Sequence, residues 1–148
     1  MESPNPESAI KDPKEIYGSF KLASEYLVKG YAKRYNFSTV IVRPSAVYGP
    51  TDNNYRVIQK FIESIFENKK LIVNKPNSNK LDFTYVKDLV RGIKLATITD
   101  LDNLEIFNLT RGEGRTLQDV IDILKKNLGE FDIEINDDNS FYPMRGAN

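Results

Sequence analysis

Ser38-Thr-Val-Ile-Val42, running directly into Arg43-Pro-Ser-Ala-Val-Tyr-Gly-Pro50, is the stretch that decides the fold class. The β-branched run has no polar alternation, the pattern of a strand covered on both faces, and such strands belong to parallel sheets flanked by helices. Arg43-Pro44 is expected to end the strand, because proline cannot donate to a ladder. Ser45 to Pro50 then reads as a loop leaving the carboxyl end of a parallel strand, where open α/β sheets place their ligands.

Working outward from this strand, the chain alternates. Before it lies a helix over about Pro13 to Tyr35, entered from a loop over residues 1–11. Asp12 is its expected N-cap, Pro13 suits the first helical position and Glu15 completes a capping-box pattern. Ile16, Phe20, Ala23, Leu27 and Tyr31 recur at three- and four-residue steps and form the stripe expected to face the core. After the strand, Asn53 or Asn54 can cap a helix over Tyr55 to Glu67, and Leu71 to Val73 is a short strand. Lys75 to Lys80 is a turn, and Leu81 to Val86 is extended chain leading into a helix over Val86 to Ile98. Glu105 to Leu109 reads as a strand and Arg111 to Arg115 as a tight loop. Thr116 with Asp119 caps a helix ending near Leu128, with Gly129 as its left-handed cap. A last strand follows over Phe131 to Ile135, and Asn136 to Asn148 reads as irregular. The alternation gives an α/β class with parallel pairing.

Composition narrows the chemistry. The 148 residues hold no cysteine and no histidine, so disulfides, thiolate nucleophiles, Ser-His-Asp catalysis and zinc sites of the usual kind are excluded. No apolar run approaches the roughly 20 residues of a membrane span, and the first residues resemble no signal peptide, so a cytoplasmic protein is the default expectation. The zero net charge hides an asymmetry: residues 1–80 carry 13 basic and 8 acidic side chains, the remainder 8 and 13. A basic half suits an anionic ligand, although a solvated surface is the simpler reading, and no basic stripe interleaved with aromatics points to nucleic acid. Asp137-Asp138-Asn139 lacks the spacing of a calcium loop. Gly112-x-Gly114 before a helix imitates a dinucleotide-binding turn, but Leu117 stands where a third glycine is needed.

Two polar residues lie beside the apolar stripe of the first helix. Tyr17 and Lys21 are four apart, so their side chains stand one above the other. An ammonium beside a phenol favours the phenolate, which equips such a pair for proton transfer. From spacing alone, a surface tyrosine lying against a lysine stem is the simpler reading.

Tyr17-Gly-Ser-Phe-Lys21, Arg43-Pro-Ser-Ala-Val-Tyr-Gly-Pro50, Asp82-Phe-Thr-Tyr-Val-Lys-Asp88 and Phe107-Asn-Leu-Thr-Arg-Gly-Glu-Gly114, in that order, resemble the extended short-chain dehydrogenase/reductases, and within them the NAD-dependent epimerase/dehydratase family. The resemblance implies a Rossmann-like parallel sheet with a small α/β substrate-binding lobe. Residues 1–50 would form the end of the Rossmann-like core and residues 51–148 mainly the lobe. Tyr17 would be the catalytic acid/base and Lys21 would bind the nicotinamide ribose of NAD or NADP. Pro44, Ser45 and Val47 would lie along the nicotinamide side of the cofactor, and Ala46, Lys80 and Tyr85 along the substrate, a sugar nucleotide. No metal is implied, and neither nucleic acid nor membrane is an expected partner. A homodimer through the Tyr17 helix is expected, or association with a glycine-rich half that such enzymes carry before the tyrosine. On this resemblance the chain looks like the second half of an enzyme, whether from a truncated gene, a split protein or an excised piece, and alone would bind NAD weakly or not at all and be inactive or weakly active. The alternative is an interaction module that keeps the fold without catalysis.

Two positions depart from the family pattern. Ala46 stands where an asparagine usually reaches the substrate, and Leu81, with Lys80 beside it, where an arginine usually meets a diphosphate. Both point to an unusual sugar nucleotide or a non-nucleotide carbonyl compound as substrate.

Overall fold

A computed structural model describes residues 5–74, 79–101 and 104–136. In chain order the elements are α1 (Ile16–Tyr35), β1 (Thr39–Pro44), β2 (Ala46–Tyr48), α2 (Val57–Phe66), β3 (Leu71–Asn74), β4 (Leu81–Tyr85), α3 (Val86–Ile98), β5 (Leu104–Leu109), β6 (Gly114–Arg115), α4 (Leu117–Leu128) and β7 (Ile133–Asn136). β1 pairs in parallel with β5, β2 with β4 and β3 with β7, while β6 adds to β4 antiparallel. Each parallel pair joins strands distant in sequence, as crossover connections require.

The core lies around the second and third of these sheets. Phe61 of α2, Leu71 and Val73 of β3, Phe83 of β4, and Val120 and Ile121 of α4 form one buried cluster, with Ala46, Tyr48, Leu81 and Ile133 packed against it. α3 presses on β5 through Gly92: a Cβ there would stand 2.9 Å from a Leu109 methyl carbon. Gly49 is equally constrained, because a Cβ would come within 2.4 Å of Val86 at the start of α3.

The expected class and most elements agree with this architecture, and the differences have physical causes. Asp12 does not cap α1: the helix starts at Ile16, its N-cap Glu15 makes no side-chain capping bond, and the Asp12 carboxylate takes the Lys14 ammonium instead. α2 starts at Val57 after Arg56, so neither Asn53 nor Asn54 caps it. Asn54 instead donates its backbone N–H to the Asp52 carboxylate at 3.0 Å in a local turn. Pro44 ends β1 as expected, in register with Leu109 at the last rung. The expected Ser45–Pro50 loop contains β2, with Ala46 opposite Phe83 and Tyr48 opposite Tyr85. The loop at Arg111–Arg115 gives its last two residues to β6. Gly129 has φ 90° but ψ −175°, so the chain leaves α4 extended and not in the left-handed helical well. The last strand begins at Ile133, two residues later than expected.

The largest difference concerns α1. Its expected core stripe faces solvent: Ile16, Phe20, Leu27 and Tyr31 are 57–77% exposed, and Ala32 is its one buried residue. The α4 cap is as expected. Thr116 Oγ1 accepts the Asp119 N–H at 3.1 Å while the Asp119 carboxylate accepts the Thr116 N–H at 2.7 Å. Asn136 adopts strand geometry as the last residue of β7, and residues 137–148, which include Asp137-Asp138-Asn139, lie outside the described residues, as does most of the Lys75–Lys80 turn.

Ile121, 2% exposed at the centre of the cluster, sets a stability test. Ile121→Ala is expected to cost about 2–5 kcal/mol in urea denaturation, from lost transfer energy and the cavity left behind. Thr116→Ala should cost about 1 kcal/mol through the lost cap.

Candidate active site

The site is built by the way α1 lies against β1. The link Asn36–Ser38 is short, with Asn36 in the left-handed region at φ 51° and ψ 50° turning the chain back on itself. From Tyr35 back to Glu25 is about 15 Å at a helical rise of about 1.5 Å per residue, and Thr39 forward to Arg43 is about 13 Å at about 3.3 Å per strand residue. Glu25 and Arg43 therefore arrive side by side. Arg43 Nε donates to Glu25 Oε1 at 2.7 Å and Nη2 to Oε2 at 2.6 Å, a bidentate pair with side chains 19% and 18% exposed. Desolvation opposes the charge on Glu25, but the hydrogen bond from Arg43 outweighs it and holds the carboxyl below its ordinary value. The same hydrogen bond raises Arg43.

Tyr17 and Lys21 continue the Glu25 face at four-residue steps. Tyr17 lies about 12 Å further along the helix axis, which carries it past the carboxyl end of β1. Lys21 Nζ sits over the Tyr17 ring, 5.7 Å from its centroid, and the tyrosine is 63% exposed. The contact is thus between ammonium and ring face, and both polar ends remain accessible.

Around this end of the sheet, the segment before α1 is tied down. Arg43 Nη1 donates to the Glu7 carbonyl at 3.1 Å, and the Glu7 carboxylate accepts the backbone N–H of Asn108, the residue in register with Arg43, at 3.0 Å. That hydrogen bond holds the exposed Glu7 carboxyl below its usual range.

Of the other residues named from the sequence, Pro44 ends β1, and the Ser45 hydroxyl donates to the Asp82 carbonyl and lies 3.3 Å from the Thr84 hydroxyl. Val47 lies in β2, and its carbonyl accepts from Arg56 at 2.9 Å. Ala46 packs against the core, and the Tyr85 ring lies 5.6 Å from that of Tyr48. Lys80 is exposed, its Cβ against Gly114. Tyr17 and Lys21 are therefore brought together on α1, while Tyr85 ends β4 of the neighbouring β2-β4-β6 sheet and Lys80 immediately precedes that strand.

Two features escaped the sequence reading. The Glu25–Arg43 pair was legible only by matching helix and strand lengths across the Asn36–Ser38 link. Asp82 accepts the backbone N–H groups of Arg111 at 2.9 Å and Gly112 at 2.7 Å, shaping the turn at Gly112, where φ is 83°. The amides that would cradle a phosphate in the dinucleotide-like Gly112-x-Gly114 turn are thus engaged by Asp82, and the first turn of α4 by its own capping box. Among the described residues no group of three or more potential metal-ligating side chains forms, and no helix is long and apolar enough to cross a membrane.

An α/β protein with a Tyr-x-x-x-Lys helix beyond the carboxyl end of a parallel strand has the architecture of the short-chain dehydrogenase/reductases. A profile of the NAD dependent epimerase/dehydratase family matches residues 2–110, and the chain belongs to that family. It is 34% identical over 132 residues to the dTDP-D-glucose 4,6-dehydratase of Mus musculus, covering 86% of this chain and 37% of that protein. To the UDP-glucuronate 4-epimerase of Thermodesulfobacterium geofontis it is 32% identical over 124 residues, covering 82% and 37%. Its structure is similar to UDP-glucuronic acid 4-epimerase from Bacillus cereus, solved with UDP-glucuronic acid and NAD, with a TM-score of 0.80, 28% identity, and coverage of 91% of this chain and 44% of that one. The chain spans less than half the length of these relatives, and its fold is the Rossmann-like one of the solved epimerases.

The lowered carboxyl of Glu25 has a consequence for pH. A group whose folded value is depressed contributes stability above its unfolded value and loses it as pH falls through the folded one. Denaturation midpoints should therefore fall more steeply in the wild type than in Glu25→Gln as pH drops below about 4.3, the ordinary glutamate value. Parallel curves for the two proteins would contradict the assignment.

Proposed function

We propose that this chain carries the acid/base and the substrate side of an NAD(P)-dependent oxidoreduction on a sugar nucleotide, of the kind that underlies epimerisation and dehydration. The observation that carries the reading is the Tyr17–Lys21 contact beyond the carboxyl end of β1. The donor set fits a nicotinamide nucleotide: a phenol and an ammonium, both accessible, are suited to ribose and sugar hydroxyls. The identities of the relatives support it further.

In this reading the Lys21 ammonium holds the nicotinamide ribose, and Pro44, Ser45 and Val47 line the same side. When bound, the nicotinamide supplies a reversible hydride acceptor. Tyr17 Oη takes the proton from the sugar hydroxyl as its carbon is oxidised, and returns a proton when a carbonyl is reduced. Lys21 stabilises the phenolate that Tyr17 must be before it takes the proton and that it becomes again once the proton is returned. Ala46, Lys80 and Tyr85 face the sugar nucleotide. Because Ala46 offers no side-chain hydrogen bond and Leu81 no charge, the preferred substrate is an unusual sugar nucleotide or a non-nucleotide carbonyl compound. The exposed Ile16, Phe20, Leu27 and Tyr31 support a homodimer through α1. The same apolar face favours the second reading, an interaction module without catalysis.

In the protein as it occurs in the cell, Tyr17→Phe should lower kcat by about 10²–10⁴-fold in a nicotinamide-absorbance assay, with substrate binding retained. Wild-type turnover by Tyr17→Phe would refute the role of Tyr17, and absence of turnover by the wild type itself would favour the interaction module. A panel of nucleotide sugars and simple hydroxy and keto compounds tests the substrate class. Full turnover of an ordinary UDP-hexose would refute the reading of Ala46 and Leu81.

A further inference from the structure

We infer that Glu25 and Arg43 are a positioning pair for Tyr17 and Lys21, fixing the register of α1 on β1 and so the distance between the acid/base and the chain at Pro44–Ser45. The inference rests on the proposed role of Tyr17.

Three observations carry it. First, Glu25 is on the Tyr17 and Lys21 face of α1, one helical turn beyond Lys21, so its anchorage sets the rotation of that face as well as its height. Second, Arg43 immediately precedes Pro44 and Ser45, and its three hydrogen bonds take up both Glu25 oxygens and the Glu7 carbonyl. One guanidinium therefore ties together the helix, the end of β1 and the segment that leads into the helix. Third, the rest of α1 offers little else to hold it. Its large apolar side chains Ile16, Phe20, Leu27 and Tyr31 face solvent, with Ala32 its one buried residue. Among the described residues, the other ion pairs join at least one partner that is more than half exposed, whereas both members of this pair are less than one-fifth exposed. Apolar contacts are non-directional and permit a helix to slide or roll, while a bidentate fork is satisfied in one orientation.

The experiment compares Glu25→Ala, Glu25→Gln and Arg43→Lys with Tyr17→Phe in the full protein as it occurs in the cell. Glu25→Ala should lower kcat about 100-fold with KM for the sugar substrate within about twofold, because misplacement by about 1 Å costs the chemical step and not ground-state binding. Glu25→Gln, which keeps the length and one acceptor, should restore kcat to within about tenfold of wild type. Arg43→Lys, which keeps the charge and loses the fork, should resemble Glu25→Ala. Backbone hydrogen exchange supplies a readout independent of turnover: protection of the amides from Tyr17 to Glu25 should fall about tenfold in Glu25→Ala and Arg43→Lys and be largely retained in Glu25→Gln. If Glu25→Ala does not fold, the contrast between Arg43→Lys and Glu25→Gln decides. The inference is overturned if Arg43→Lys, folded, keeps wild-type kcat while Tyr17→Phe is inactive. It is equally overturned if losses follow only the folded fraction, without the rescue by glutamine. Activity retained by Tyr17→Phe would remove the role of Tyr17 and this inference with it.

Discussion

The bidentate contact between Arg43 and Glu25 is the interaction on which the carboxyl end of the β1–β5 sheet depends. Two long-separated elements meet there because a helix advances about 1.5 Å per residue and a strand about 3.3 Å. Ten helical residues and four strand residues bring the two charges level across a three-residue turn. With the charges partly desolvated, their pairing has to be geometrically good to offset the loss of hydration, and the guanidinium fork supplies that geometry. Beyond it the helix rises off the end of the sheet, carrying Lys21 and Tyr17 into the region where α/β proteins bind ligands.

The β1–β5 sheet and the other two sheets are stabilised by different physics. Around β2-β4 and β3-β7 a contiguous apolar cluster is closed by α2 and α4, and the Asp82 carboxylate holds the Arg111–Gly112 turn against β4. Around β1 and β5 the fixed points are polar: Arg43 with Glu25, Glu7 with Asn108, and the Ser45 hydroxyl on the Asp82 carbonyl. Ser45 therefore links the end of β1 to the second sheet, so that residues 44–47, the candidates named from the sequence, sit at the seam between the two.

The element types were largely legible in the sequence because apolar periodicity and β-branching act locally. The strand at Thr39–Val42, which is only half-buried, the α3 helix and the Thr116–Asp119 cap are examples. Boundaries were less so. Asp12 looked like a cap but spent its carboxylate on Lys14, whereas Pro44 does stop β1, standing at its final rung with no N–H to donate further. Tyr17 and Lys21 were legible as a stacked pair, and the motif blocks gave them a role. The apolar stripe of α1 was legible as a stripe, yet periodicity reports which residues share a face and is silent on what covers that face.

By itself the sequence determined the α/β class, the absence of thiol and imidazole chemistry, the helical stacking of Tyr17 over Lys21, and membership of a recognisable family of motifs. These follow from composition and from interactions between residues within a few positions of one another. Only the tertiary structure decided that Ser45 bonds into β4, that Asp82 occupies the amides of the Gly112 turn, that Phe20 and Leu27 stay in solvent, and that Arg43 reaches Glu25. Each of these joins groups far apart in sequence or depends on which surfaces meet. That information enters only when the chain closes on itself, since hydrogen bonds and desolvation are set by distances in space and not by spacing along the backbone.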